Sequence, residues 1–242
     1  MRAMASPRRL GVLGGMGPLA TVDFLKKLIA ATPAQKDPDH VPVIVYSVPQ
    51  IPDRVAPIVH ATGVSPLPAM LEGVRTLEAA SAECIVIPCI TAHHWYDELC
   101  QGAHVPIIHI ADATCAAMTT QAVRGDVALL ATDATLRSGF FQQRLQSAGF
   151  KVVLPSSEEM HELVLPAIAC VKRHDMATAL ALASEAVQRL LSRDLQRIVL
   201  ACSELPSALE GADVSLTARC VDTLDALARA CVAWSTQGSQ AA

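Results

Sequence analysis

The chain has 242 residues, 52% of them hydrophobic and 17% charged, enough apolar material for the core of one large or two small domains. Its net charge of −4 comes without a basic stripe, and aromatic residues are only 3%, so neither a duplex-binding surface nor a base-stacking platform is expected. No apolar stretch is long enough to span a bilayer, and no long apolar region with a cleavage site follows the basic start, so a cytoplasmic protein with no membrane partner is expected.

Leu10–Leu13 reads as a strand, Gly14–Pro18 as a tight turn and Leu19–Ala31 as an amphipathic helix. Val41–Ser47 is a second strand, and two prolines stiffen the loop Pro49–Arg54. A helix over Leu67–Ala80, a strand over Cys84–Pro88, a short helix over Ala92–Leu99 and a strand over Pro106–Ile110 complete the first half. The second half repeats this grammar. Asp126–Ala131 is a strand, Thr132–Gly139 a polar turn, Phe140–Ala148 a helix and Lys151–Leu154 a strand. Helices over 158–172 and Ala177–Ser192 precede a strand at Gln196–Ala201; a last strand lies within Val214–Val221 and a last helix over Thr223–Trp234. The polar tail from Ser235 is expected to fray. Alternating strands and helices imply parallel sheets. The expected fold is α/β, with two pseudo-symmetric lobes, each a mostly parallel sheet flanked by helices. Residues 1–111 with 223–242 form the first lobe and 112–222 the second, and the active site is expected in the cleft between them.

The eight cysteines show no C-x-x-C pair and no zinc-ligand spacing, so no metal is expected. Cys84, Cys115, Cys170, Cys220 and Cys231 read as small buried hydrophobes. Cys89 and Cys202 differ, because each stands where an apolar strand stops. Strand ends in α/β domains are where reacting groups usually sit. Two thiols in corresponding positions suggest two acid/base groups facing one substrate.

Several segments then carry a family resemblance. Gly11–Thr21 with its Gly14-Gly15-Met16-Gly17 turn, Pro49–Arg54, Pro88-Cys89 followed by Thr91-Ala92-His93, Ala131–Gly139 and Cys202-Ser203-Glu204-Leu205-Pro206 resemble, in order, motifs of the aspartate/glutamate racemase family. The likeness is strongest to its aspartate racemase branch. The resemblance implies an amino-acid racemase for aspartate and/or glutamate that uses no cofactor, with Cys89 and Cys202 as thiolate base and thiol acid at Cα. A homodimer and a small amino acid or dicarboxylate as the sole ligand are implied with it. A helix amino terminus after each cysteine is expected to lower its pKa.

Residue by residue, Met16 and Gly17 are either part of a plain strand-to-helix connection or a backbone cradle for a carboxylate. Arg54 is a solvated arginine or a bidentate carboxylate clamp. Thr91 and Ser203 are helix caps or substrate contacts. Thr132 and Thr135 are expected to face the ligand, the resemblance adds Glu204, beside Cys202, to the substrate-binding set, and Lys172 either ends a helix or holds the second carboxylate. His93 and His94 tune the Cys89 thiol or stand behind it. One departure concerns the substrate: the family's Pro-Cys-Asn-Thr-Ala-His has Ile90 where asparagine is usual, which removes two donors and an acceptor. Hydantoin racemase, maleate isomerase and a non-catalytic amino-acid sensor are the competing readings. An arylmalonate decarboxylase is disfavoured, because those typically keep one cysteine.

Overall fold

The computed structural model describes residues 7–237, so residues 1–6 of the basic start and the last five residues of the tail lie outside it. The chain divides into two compact units: Met1–Ala113 with Leu224–Ala242, and Thr114–Thr223. The first unit holds β1 (Leu10–Gly14), β2 (Val43–Ser47), β3 (Cys84–Val86) and β4 (Ile107–Ile108) in the order β2-β1-β3-β4. The second holds β5 (Asp126–Ala131), β6 (Lys151–Val153), β7 (Arg197–Ala201) and β8 (Cys220–Asp222) in the order β6-β5-β7-β8. Every pairing is parallel, as the continuous aliphatic runs predict. The two units therefore repeat one topology.

Helical periodicity supplies the cover. In the first unit, Pro18–Ala31 buries Ala20, Thr21, Phe24 and Leu28, and Leu67–Ala79 buries Met70, Val74 and Leu77. The latter side chains join Leu13, Ile85, Ile87 and Leu99 in one core. In the second unit, Met176–Leu191 turns Ala179, Ala183, Ala186, Val187 and Leu190 inward, onto a core that includes Ala128, Leu130, Ile198 and Leu200.

Several elements depart from expectation, each for a local reason. The segment after β5 is a helix, Asp133–Ser138, and not a turn. Thr132 caps it by accepting from the Thr135 N–H, an Asp133–Arg137 pair spans one turn, and Gly139 closes it in the left-handed region at φ 73°. Val214–Thr217 is also helical, because Asp213 accepts from the Ser215 N–H; the last strand is confined to Cys220–Asp222. β3 stops at Val86 rather than running to Pro88, which has no N–H for the ladder. Beyond Cys89 the chain makes a 3-10 turn, Thr91–Trp95, before the helix Tyr96–Gly102. Ser235–Gln237 continue the last helix, and the rest of the tail expected to fray lies outside the described residues. In the second unit, a π turn at Met160–Val164 precedes the Leu165–Lys172 helix, whose Pro166 lacks the N–H for a regular ladder.

The eight cysteines are free thiols. Cys84, Cys115, Cys170 and Cys231 are buried, as expected; Cys220 is only half-buried, at the outer strand β8, and Cys100 is exposed. Burial pushes Cys84 and Cys220 up to about 12, which makes both inert at neutral pH.

Candidate active site

In a parallel sheet all strands deliver their carboxyl ends to one edge, and ligands gather where the strand order reverses. In the first unit that point lies between β1 and β3. β1 runs into the glycine turn, β2 into the Arg54 loop, and β3 into Cys89. In the second unit the equivalent point lies between β5 and β7. β5 runs into Thr132 and Thr135, and β7 ends directly at Cys202. Cys89 and Cys202 thus occupy corresponding places in two like units.

The glycine turn is closely packed and hydrogen-bonded. Gly15 has φ 91°, and a Cβ there would lie 2.4 Å from the Val48 nitrogen. Its N–H donates to Thr21 Oγ1 at 2.9 Å, and that hydroxyl donates to the Gly17 carbonyl at 3.1 Å. Thr21 is buried and staples the turn to the first helical turn after it, a role the sequence reading missed. The one available signal was a hydroxyl three residues into a helix opened by Pro18. Thr21→Val is expected to cost about 1–3 kcal/mol, because the buried Gly15 N–H loses its partner. Chemical denaturation measures this, and an unchanged midpoint contradicts the staple. Met16 is buried in the unit's core, whereas a Cβ on Gly17 would meet nothing within 4 Å, leaving its backbone open to close approach.

Arg54 reaches back to this turn. Its Nη2 donates to the Met16 carbonyl at 3.3 Å, and its Nη1 to the carbonyls of Pro52 at 3.1 Å and Ile51 at 3.4 Å. The guanidinium therefore joins the proline loop to the glycine turn. Its Nε is buried with no partner among the described residues. Asp53 fixes the loop exit by accepting from the Val55 and Ala56 N–H groups.

Cys89 and Ile90 are both buried, and Thr91 opens the 3-10 turn beyond them. His93 stands behind the thiol segment: its Nε2 lies 3.1 Å from the Ile87 carbonyl, two residues before Cys89. Its ring packs edge-on against His109 at 4.6 Å, and Tyr96 packs on His109 at 4.5 Å. His109 Nδ1 accepts the Ala111 N–H at 3.0 Å, which requires that nitrogen to be unprotonated. His94 instead packs edge-on against Trp95.

In the second unit Thr132 Oγ1 donates to Thr135 Oγ1 at 3.1 Å while accepting the Thr135 N–H; Thr135 is fully buried. Cys202 is buried too, and its Sγ–H donates to Glu204 Oε2 at 3.0 Å. Ser203 Oγ donates to the same oxygen at 2.9 Å. Lys172, the last residue of its helix, places Nζ 4.0 Å from Glu204 Oε1. Burial first, then the charge and hydrogen bond of Glu204, push the Cys202 thiol well above its usual range. This reverses the lowering expected from a helix amino terminus. The helix after Cys202 is only five residues, Glu204–Ala208, and it begins with the carboxylate that opposes a thiolate.

Among the described residues no group of three or more His, Cys, Asp or Glu side chains is placed to hold a metal ion, and no helix is long and apolar enough to cross a membrane.

Known proteins match this architecture. The sequence model of the family described as Asp/Glu/Hydantoin racemase matches residues 13–231. The broad specificity amino-acid racemase RacX of Bacillus subtilis (strain 168) is 28% identical over 205 residues, covering 83% of this chain and 87% of that protein. Picrophilus torridus aspartate racemase superposes with a TM-score of 0.78 at 30% identity, over 93% of each chain. An aspartate racemase homologue from Pyrococcus horikoshii OT3 shares the fold, with a TM-score of 0.76 at 23% identity, covering 95% of this chain and 99% of that one. The chain belongs to the Asp/Glu/hydantoin racemase family.

Proposed function

We propose that this enzyme inverts the Cα of aspartate and/or glutamate without a cofactor, using Cys89 and Cys202 as a base and acid pair on opposite faces of that carbon. The observation that carries this reading is the repeat itself: a cysteine in the segment that follows the carboxyl end of the corresponding strand, three residues after β3 and directly after β7, in two units of one topology. In one direction the Cys89 thiolate takes the Cα proton, and the Cys202 thiol delivers its own to the opposite face. A C–H bond breaks on one side and forms on the other, and the two sulfurs exchange protonation states. The reverse reaction uses the same groups with roles exchanged.

The carbanion between the two steps needs charge stabilisation from groups already in place. Gly17 offers backbone open to close approach, and the unpaired buried Arg54 Nε–H is a costly donor that a carboxylate would satisfy. Thr91, Thr132, Thr135, Ser203 and Lys172 complete the proposed binding set. Arg54→Lys keeps the charge but loses the Nε–H and the guanidinium bonds that hold it between the proline loop and the glycine turn. Its KM for aspartate is expected to rise about tenfold or more, the equivalent of one charged hydrogen bond. Initial rates test this, and an unchanged KM removes Arg54 from the site.

Ile90, buried with no polar atom on its side chain, favours a second reading in which less polar amino acids are also accepted. The likeness to a racemase named for broad specificity points the same way. A panel of single-enantiomer amino acids followed by circular dichroism decides between them. Loss of optical activity by aspartate or glutamate alone supports the first reading, and loss across apolar side chains the second. If no amino acid racemises, both are wrong and a binding protein remains.

A further inference from the structure

Cys202 is 4% exposed, whereas the Glu204 side chain that accepts its proton bond is 21% exposed. The carboxylate therefore connects a buried sulfur with water. Among the described residues, the charged groups acting on the thiol are Glu204 from the helix it begins and Lys172 from the neighbouring helix Leu165–Lys172. They are not balanced. Glu204 is in direct hydrogen-bond contact with the sulfur. Lys172 lies beyond the far carboxylate oxygen, and 63% of its side chain is in solvent, which screens it.

The geometry points to Glu204 as the residue that sets the resting state of the enzyme: its carboxylate holds Cys202 as the thiol, and after turnover it passes a proton from water back to that sulfur. The role in turnover rests on the two-cysteine reading; the resting state of the thiol does not. When Cys202 gives its proton to Cα, its S–H bond breaks, a C–H bond forms, and the sulfur is left anionic beside a carboxylate. Two like charges in direct contact disfavour one another. Cys89 releases the proton taken from Cα to water, water protonates Glu204, and Glu204 Oε2 hands that proton to Sγ; one proton leaves and one enters, which restores the Cys89 thiolate, the Cys202 thiol and the Glu204 carboxylate. Glu204 is thus a positioning and proton-return residue for Cys202, distinct from the substrate-binding role the sequence suggested for it.

The test uses the full chain, iodoacetamide and mass-spectrometric peptide mapping, with exposed Cys100 as the internal standard. In the wild type, Cys202 is expected to react far more slowly than Cys100. Glu204→Gln keeps the shape and removes the charge, so the Cys202 rate should rise about tenfold, as for one unit of pKa. Glu204→Asp keeps a carboxylate and should stay within about twofold of wild type. The alkaline limb of kcat/KM should move down about one pH unit in the glutamine variant and stay in the aspartate variant. Equal acceleration in both variants means a loosened local fold and overturns the inference, as does no change in Glu204→Gln. Failure of the two-cysteine reading looks different: Cys202→Ala then still racemises, whatever the modification pattern.

Discussion

Cys89→Ala and Cys202→Ala are each expected to lower racemisation of aspartate by at least about 10³-fold while the fold is retained. A positioned acid or base typically contributes about 10²–10⁴-fold, and racemisation by this route needs both in every turnover. Alanine fills most of the thiol's volume, so neither buried site should collapse. Each variant should also keep one half of the chemistry. In D2O the remaining cysteine can still remove and replace the Cα proton on its own face, so one enantiomer exchanges without inverting. The favoured enantiomer should switch between the two variants. Near wild-type turnover by either variant, in both directions, ends the two-base account.

Gly15→Ala is expected to cost about 3 kcal/mol or more and to remove activity with it. Two costs act together. The residue sits at φ 91°, where an L side chain is strained, and its Cβ would lie 2.4 Å from backbone nitrogen rather than from a side chain that can swing away. The obstacle is the start of the loop that carries Arg54, so relief of the clash moves the arginine proposed to bind the substrate carboxylate. Thermal and denaturant melts read the first effect and aspartate turnover the second. A variant with an unchanged melting midpoint contradicts the close packing of turn and loop.

Much of this architecture is legible in the sequence because parallel strands buried on both faces are nearly pure aliphatic runs. Leu10–Gly14, Asp126–Ala131 and Arg197–Ala201 are such runs, and the cysteine at the end of the last is visible without coordinates. Polar helices are harder. Thr132–Gly139 carries few apolar positions, and its helix is decided by a cap, a one-turn ion pair and a left-handed glycine. Val214–Thr217 is β-branched in part yet helical, because an aspartate precedes it. Within the site, position along the chain predicts which residues gather at a sheet edge, but not where a polar atom points. Glu204 is two residues from Cys202 in any conformation; only the fold turns its carboxylate onto the sulfur. The same holds for Arg54, whose two terminal nitrogens donate to carbonyls, one of them from Met16 in a distant segment.

The most direct measurement is the early time course of L-aspartate and D-aspartate in D2O with the wild-type enzyme, followed by proton NMR and chiral separation. Two opposed thiols predict that the product enantiomer carries deuterium at Cα from the first turnovers, while the recovered substrate remains protiated. Deuterium entering substrate and product equally from the start requires a single base serving both faces, and would contradict the pairing of Cys89 with Cys202.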